Sequence, residues 1–251
     1  MMLGDHSKIR SEYFLFVILA AVLAVLSLGK VSAQNATSSQ NSIELFQLSD
    51  KPFGSSYEDH VKNFWKLYLQ TPKDVNPLED RKGAMCNYGR NGQNETKSIF
   101  YLTGNSGGNT EKTCKIPAGL GLFIPILAGE FSQGEATEKP IPTVEDLRMK
   151  AKNDQDKMKN LRLVINGKVI PEEDLRRYAV LSGDFDVIFP NNAEFGANPG
   201  PSKAVADGYY VITKPLSPGN YTVQFSGLIQ EDPESGTPNF STNSIYHLVV
   251  R

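Results

Sequence analysis

Residues 86–127 read CNYGRNGQNETKSIFYLTGNSGGNTEKTCKIPAGLGLFIPIL, and the choice of fold turns on this stretch. It holds both cysteines of the chain, its densest glycine cluster and three short apolar runs separated by turn formers. Residues 98–102 (SIFYL) predict a strand. Gly104, Asn105, Ser106, Gly107, Gly108 and Asn109 predict a loop, and residues 111–116 (EKTCKI) predict the returning strand. Thr113 and Lys115 then share one face, and Cys114 and Ile116 the other. After the Pro117-Ala118-Gly119 turn, residues 120–127 are almost continuously apolar, which predicts a central strand covered on both faces. The glycines do not suit a phosphate cradle. A P-loop needs Gly-Lys-Ser/Thr opening a helix, and a dinucleotide loop needs a helix after its glycines; a strand follows here.

Upstream, Ser56-x-x-Asp59 is a capping box, and Tyr57, Val61, Phe64, Trp65 and Tyr68 recur at helical spacing until Thr71-Pro72 stops them. Downstream, Thr143-x-x-Asp146 starts a second helix with Val144, Leu147, Ala151 and Met158 on its buried side and charges on the other. Asn166-Gly167 centres a hairpin over residues 161–170, and Pro171 starts a single helical turn. Further strands are predicted at 185–189, 204–216, 221–225 and 245–250, with a long loop of turn formers at 191–203. About nine strands at short spacing, without strand-helix-strand alternation, predict a mostly β (α+β) chain. The expected architecture is an antiparallel β-sandwich or jelly-roll-like domain with two peripheral helices.

The chain begins with Lys8 and Arg10, then an apolar run of 15 residues from Phe14 to Leu28 broken only by Ser27, then Val31-Ser32-Ala33. A basic start, a short apolar core and small residues at the end mark a secretory signal peptide. The other reading is an uncleaved anchor, which wants about 20 apolar residues. Either reading exports the domain to the cell surface or the extracellular space, with residues 1–33 its only membrane contact. Residues 34–52 are expected to be a flexible stalk and residues 53–251 a single β-sandwich domain.

Without the leader's three basic and two acidic residues, 23 Lys+Arg face 26 Asp+Glu, a net charge of −3. Such a mildly acidic, mixed surface argues against nucleic acid as a partner. In an exported chain, two cysteines predict one disulfide, Cys86 to Cys114, contributing roughly 3.5 kcal/mol if unstrained. Asn35, Asn94, Asn220 and Asn239 head N-x-S/T sequons and are glycosylation candidates.

Few residues carry chemistry. Beyond the leader there are two histidines, His60 and His247, too few to favour a histidine metal centre or a Ser-His-Asp triad. Asp74, Asn76, Glu79 and Asp80 could converge on a calcium ion, although their spacing is not that of an EF-hand and a solvated turn is the default. Carboxylate pairs of the glycosidase kind could come from Glu130, Asp184, Asp186, Glu194 and Asp207. Asp207 stands out because it interrupts an apolar strand beside Gly208, where it either caps a bulge or faces a site. A binding site is expected where the loops at 104–109 and 191–203 gather Glu194, Phe195, Asp207, Tyr209 and Tyr210.

Residues 64–80 (FWKLYLQTPKDVNPLED), the 86–125 block with its TCKIPAG turn, 191–211 (NNAEFGANPGPSKAVADGYYV) and 215–223 (PLSPGNYTV) carry a resemblance that spans most of the chain after the leader. On these segments the chain resembles a family of uncharacterised exported proteins of ammonia-oxidising archaea and some bacteria. The resemblance implies export and one compact domain, and it transfers no catalytic residue. Residues 215–223 (PLSPGNYTV) also resemble the penultimate hairpin of immunoglobulin-like extracellular domains, which says nothing of function. The expectation is a binding module for a ligand, a glycan or an envelope protein. A structural envelope component and a carboxylate-dependent hydrolase are the alternatives.

Overall fold

Ser56 caps the first helix, α1 (Tyr57–Leu69): its hydroxyl accepts from the Asp59 N–H and the Asp59 carboxylate accepts from the Ser56 N–H, both at 3.1 Å. One face of α1 carries Tyr57, Val61, Phe64, Trp65 and Tyr68, all buried. The structure is a computed structural model that describes residues 43–84, 98–135, 141–231, 233 and 239–251. The leader, Asn35, Cys86 and Asn94 lie outside the described residues. No helix among the described residues is long and apolar enough to cross a membrane. The described residues belong to one compact unit, Asn41–Arg251.

Two sheets of mixed strands make the body. Strands β1 (Ile99–Tyr101), β2 (Gly108–Ile116) and β3 (Gly121–Ser132) come first. Helix α2 (Val144–Gln155), strands β4 (Met158–Ile165) and β5 (Lys168–Ile170), and the single-turn α3 (Glu172–Leu175) follow. Then come β6 (Ala179–Leu181), β7 (Phe185–Phe189), β8 (Gly200–Ile212), β9 (Gly219–Ile229) and β10 (Phe240–Val250). The first sheet runs β1-β3-β8, with β6 and β7 sharing the far edge of β8; the second runs β2-β10-β9-β4-β5. The fold is a mostly β, α+β sandwich, with α1 as an extra layer on the first sheet.

The predicted hairpin over Gly104–Asn109 is not formed. β1 pairs in parallel with β3, and β2 pairs in parallel with β10 in the opposite sheet. The linking segment crosses between the sheets, and its interior anchor is Asn105. The Asn105 amide donates to Thr110 Oγ1 and Ser244 Oγ at 3.2 and 3.1 Å, and its carbonyl accepts from the Gly107 N–H at 2.8 Å. A buried amide must find such partners, and these fasten the crossing to β2 and β10.

Strand β3 is central and buried on both faces, as its apolar run predicts. Pro125 has no N–H to give the ladder, and the register with β8 slips by one residue between Pro125 and Leu127. Gly208 lies across from this bulge at φ +142°, where a Cβ would stand 2.5 Å from the Leu127 carbonyl oxygen. Side chains on β8 then alternate. Tyr210 faces α1, packing 5.4 Å from the Phe123 ring and 6.5 Å from the Phe64 ring. Val205 faces the other way, onto Leu147 and Ala151 of α2. Leu127 also points that way and fills the space over Gly227 of β9, where the two sheets meet.

The chain docks before residue 53. Leu45 bridges Thr213, the Phe46 N–H donates to the Ile212 carbonyl at 2.9 Å, and the Tyr57 hydroxyl donates to the Phe46 carbonyl at 2.9 Å. The expected stalk therefore gives way to the domain about ten residues earlier than its composition suggests.

Candidate functional site

The five residues expected to gather in one place are divided by the pleat of β8. Asp207 is 1% exposed, lies across from Gly129 of β3 and Leu181 of β6, and faces the last turn of α2. Neither of its carboxylate oxygens has a hydrogen-bond partner. Burial, and then the charge of Asp154, push its carboxyl up to about 9, so it is neutral at physiological pH. Tyr209 shares this face, accepting from Arg176 Nη1 at 3.3 Å under a guanidinium 5.8 Å from its ring. Tyr210 points to the opposite face, because successive residues of a strand alternate. Its hydroxyl accepts from Trp65 Nε1 at 3.0 Å and donates to the Asp207 carbonyl at 2.9 Å. Glu194 and Phe195 sit apart, in a tight turn at Glu194–Gly196. Phe195 has φ +55° and is half exposed, while Glu194 is buried with Oε1 unpartnered and is pushed up by burial and by Glu79. The gathered binding site expected on Asp207, Tyr209, Tyr210, Phe195 and Glu194 is not formed.

The acidic loop at 74–80 uses its polar groups to close turns. Asn76 donates to the Tyr68 carbonyl at 2.8 Å and accepts from the Leu78 N–H at 3.1 Å. Asp80 accepts from the N–H groups of Gly83 and Ala84, and Asp74 accepts from Asn192. Asp74, Asn76, Glu79 and Asp80 do not converge on a cation, and no group of three or more His, Cys, Asp or Glu arranged for a metal occurs among the described residues. Asp184 and Asp186 both pair with Lys203, at 3.3 and 2.9 Å, on the surface. His60 is buried, with Nε2 2.9 Å from the Pro52 carbonyl, and serves the fold. Cys114 is fully buried and not a free thiol; Cys86 lies outside the described residues.

Two arrangements remain. The first is at the end of β3. Glu130 lies across from Ala206, on the face of the first sheet that α1 covers, and Ser132 lies two residues on, across from Ala204. The chain then turns so that the Glu135 carboxyl comes beside both Glu130 and Ser132. Both Glu130 oxygens are buried, and the Glu135 carboxyl is within hydrogen-bonding reach of the Glu130 carboxyl and of the Ser132 hydroxyl and N–H. Burial is the leading cause that raises both carboxyls above the ordinary carboxylate range. Glu130 was legible as a carboxylate on a strand end. Glu135 was not, since only the turn at residues 133–135 brings it back.

The second is the outer face of the second sheet, which no helix covers among the described residues. Asn109 of β2 lies across from Asn243 of β10, and Gln224 of β9, whose direct partner on β10 is Ile245, reaches Asn243 diagonally. Gln224 donates to Asn243 at 3.0 Å, and Asn243 donates to Asn109 at 3.2 Å. Beside them, His247 bonds Glu111 at 2.8 Å, and exposed Arg162 lies on β4 across from Ser226. The sequons at Asn220 and Asn239 are both exposed, Asn220 as the second residue of β9 and Asn239 just before β10. The signal for this face was the alternation of amides and hydroxyls in the last strands. No family model, curated protein or solved structure matches the chain.

Proposed function

We propose that the chain is an exported cell-surface binding module that takes a polyhydroxylated ligand, of the glycan class, on the outer face of its second sheet. The observation that carries this is the hydrogen-bonded amide chain Asn109–Asn243–Gln224 across three adjacent strands. Amides offer a donor and an acceptor in one plane, which suits the vicinal hydroxyls of a sugar, and a sheet holds them at fixed spacing. Glu111, His247 and Arg162 add charge-assisted partners at the edge. Export follows from the leader, and a Cys86–Cys114 disulfide accords with the buried, non-free Cys114.

The test is a glycan array probed with the full chain, followed by titration calorimetry on the hits. Binding is expected to fall about tenfold or more in Asn243→Ala and Gln224→Ala, each of which removes bidentate contacts. It is expected to be unchanged in Asp186→Ala, on a different surface. An array with no hits, or hits that survive both substitutions, would overturn the reading.

A further inference from the structure

We infer, resting on the sheet-face site proposed above, that its ligand is an acidic glycan. Arg162 takes a carboxylate or sulfate of one sugar, and Asn243 and Asn109 take the hydroxyls of the next. Register sets these residues in one row across the sheet: Asn109 lies across from Asn243, Asn243 from Ser226, and Ser226 from Arg162. Neighbouring strands stand about 4.8 Å apart, so Arg162 starts from a strand about 10 Å from that of Asn243 and about 14 Å from that of Asn109. A ligand of two or three linked sugar rings spans such a row.

Charge decides the sign of the ligand. Glu111 is the only acid within strands β2, β10, β9, β4 and β5, which together carry five Lys or Arg. The whole chain has a net charge of −2, so this sheet runs against the balance of the protein. Of the five cations only Lys112 is buried. Arg162 makes no ion pair or hydrogen bond among the described residues, whereas Glu111 is bonded to His247. Glu111 also stands on β2, at the opposite end of the row from Arg162, so an acidic ligand is directed with its anion toward β4. The planar fork of a guanidinium matches the paired oxygens of such an anion. The face offers no large ring to stack on: Tyr221, Phe225, Phe240 and Tyr246 all fall on inward positions of the alternation. Without the apolar contact that aromatic rings supply, a charge-assisted bond is the strongest one available here. The same lack counts against single-stranded nucleic acid, whose bases stack on aromatic side chains.

Calorimetry on the full-length chain uses two pairs of probes: tetragalacturonate with its methyl ester, and a sulfated tetrasaccharide with its desulfated form. At least one acid is expected to bind about tenfold tighter than its neutral counterpart at low salt, and the advantage is expected to shrink in about 0.5 M sodium chloride. The pair that shows the preference identifies the anion. Arg162→Gln is expected to bring the acid-to-neutral ratio close to one, and Asn243→Ala to weaken acid and neutral forms alike. Arg177→Gln removes an exposed charge elsewhere, just after α3, and is expected to leave the ratio as it is. Acid and neutral forms bound equally, with both lost in Asn243→Ala, would overturn the acidic ligand and leave the sheet-face site standing. A preference that survives Arg162→Gln, or falls as much in Arg177→Gln, would overturn it too. Binding of no sugar at all would overturn the sheet-face site and this inference together.

Discussion

The Trp65 indole N–H donates to the Tyr210 hydroxyl at 3.0 Å, and the same hydroxyl donates to the Asp207 carbonyl at 2.9 Å. This relay ties α1 to the middle of β8 and explains why the chain's only tryptophan is buried on the sheet. Tyr210→Phe keeps the ring but orphans an N–H and a carbonyl in a dry interior. Each orphan costs about 1–3 kcal/mol, so a total loss of about 3 kcal/mol is expected from urea unfolding. Adding Trp65→Phe is expected to cost less than the sum of the single changes, because the two share one bond. Additivity would show that the relay does not couple helix and sheet.

Gly208 marks the tightest backbone approach in the first sheet. An added Cβ would meet the Leu127 carbonyl oxygen at 2.5 Å and the Ala128 Cα at 2.6 Å, at a φ of +142°. Neither neighbour is the flexible end of a side chain. Gly208→Ala is expected to cost more than about 3 kcal/mol or to prevent folding. Gly104→Ala, with nothing within 4 Å of its added Cβ, is expected to shift stability by less than about 1 kcal/mol. Urea midpoints of the two variants separate backbone crowding from glycine loss in general.

Local signals were the legible ones. The Ser56 capping box, the Thr143 N-cap, the buried stripe of α1, the hairpin at Asn166–Gly167 and the apolar centre of β3 follow from rules that act within a few residues. Gly208 beside Asp207 foretold irregular pairing, and the bulge lies across from it, brought about by Pro125. What escaped was long-range. The parallel pairing of β2 with the final strand depends on residues more than 130 positions apart, and no local pattern distinguishes it from a hairpin. The binding residues were grouped by nearness in sequence. Tyr209 and Tyr210 illustrate the error, since neighbours on a strand face opposite ways. Glu135 carried no signal of its own, and Asn109, Asn243 and Gln224 come together only through sheet order.

Asp207 sets one limb of the pH dependence of stability. Its folded carboxyl is pushed up to about 9, whereas the unfolded value is near 3.9. The folded state therefore holds a proton that the unfolded state has released. Its contribution is fully present below about pH 4 and is lost as pH rises toward 9. Asp207→Asn keeps the shape without the charge and is expected to flatten this limb, gaining about 3 kcal/mol over the wild type at pH 8. Urea unfolding between pH 5 and 9 checks this. A variant whose pH profile matches the wild type would place Asp207 in contact with water or a partner.

Lys112 supplies the opposite limb. It is 1% exposed, and its ammonium donates to Thr103 Oγ1 at 2.8 Å and to the Pro77 carbonyl at 3.2 Å, 5.5 Å from the Tyr246 ring centre. Burial lowers its folded value to about 8, below the unfolded value near 10.4. Below pH 8 both states are charged and the desolvation cost is present in full. As pH rises from about 8 to 10.5 the folded amine sheds its proton first, so this group favours folding increasingly over that window. Lys112→Met removes the buried charge, and Thr103 retains its 2.8 Å hydrogen bond to the Tyr246 hydroxyl. Such a replacement of a buried charge is expected to be neutral or stabilising by about 1 kcal/mol at pH 7. The rise in stability above pH 8 is expected to disappear in Lys112→Met and to persist in Asp207→Asn. Denaturation of all three proteins at pH 7, 8, 9 and 10 decides it, and an unaltered alkaline limb in Lys112→Met would assign that limb to another group.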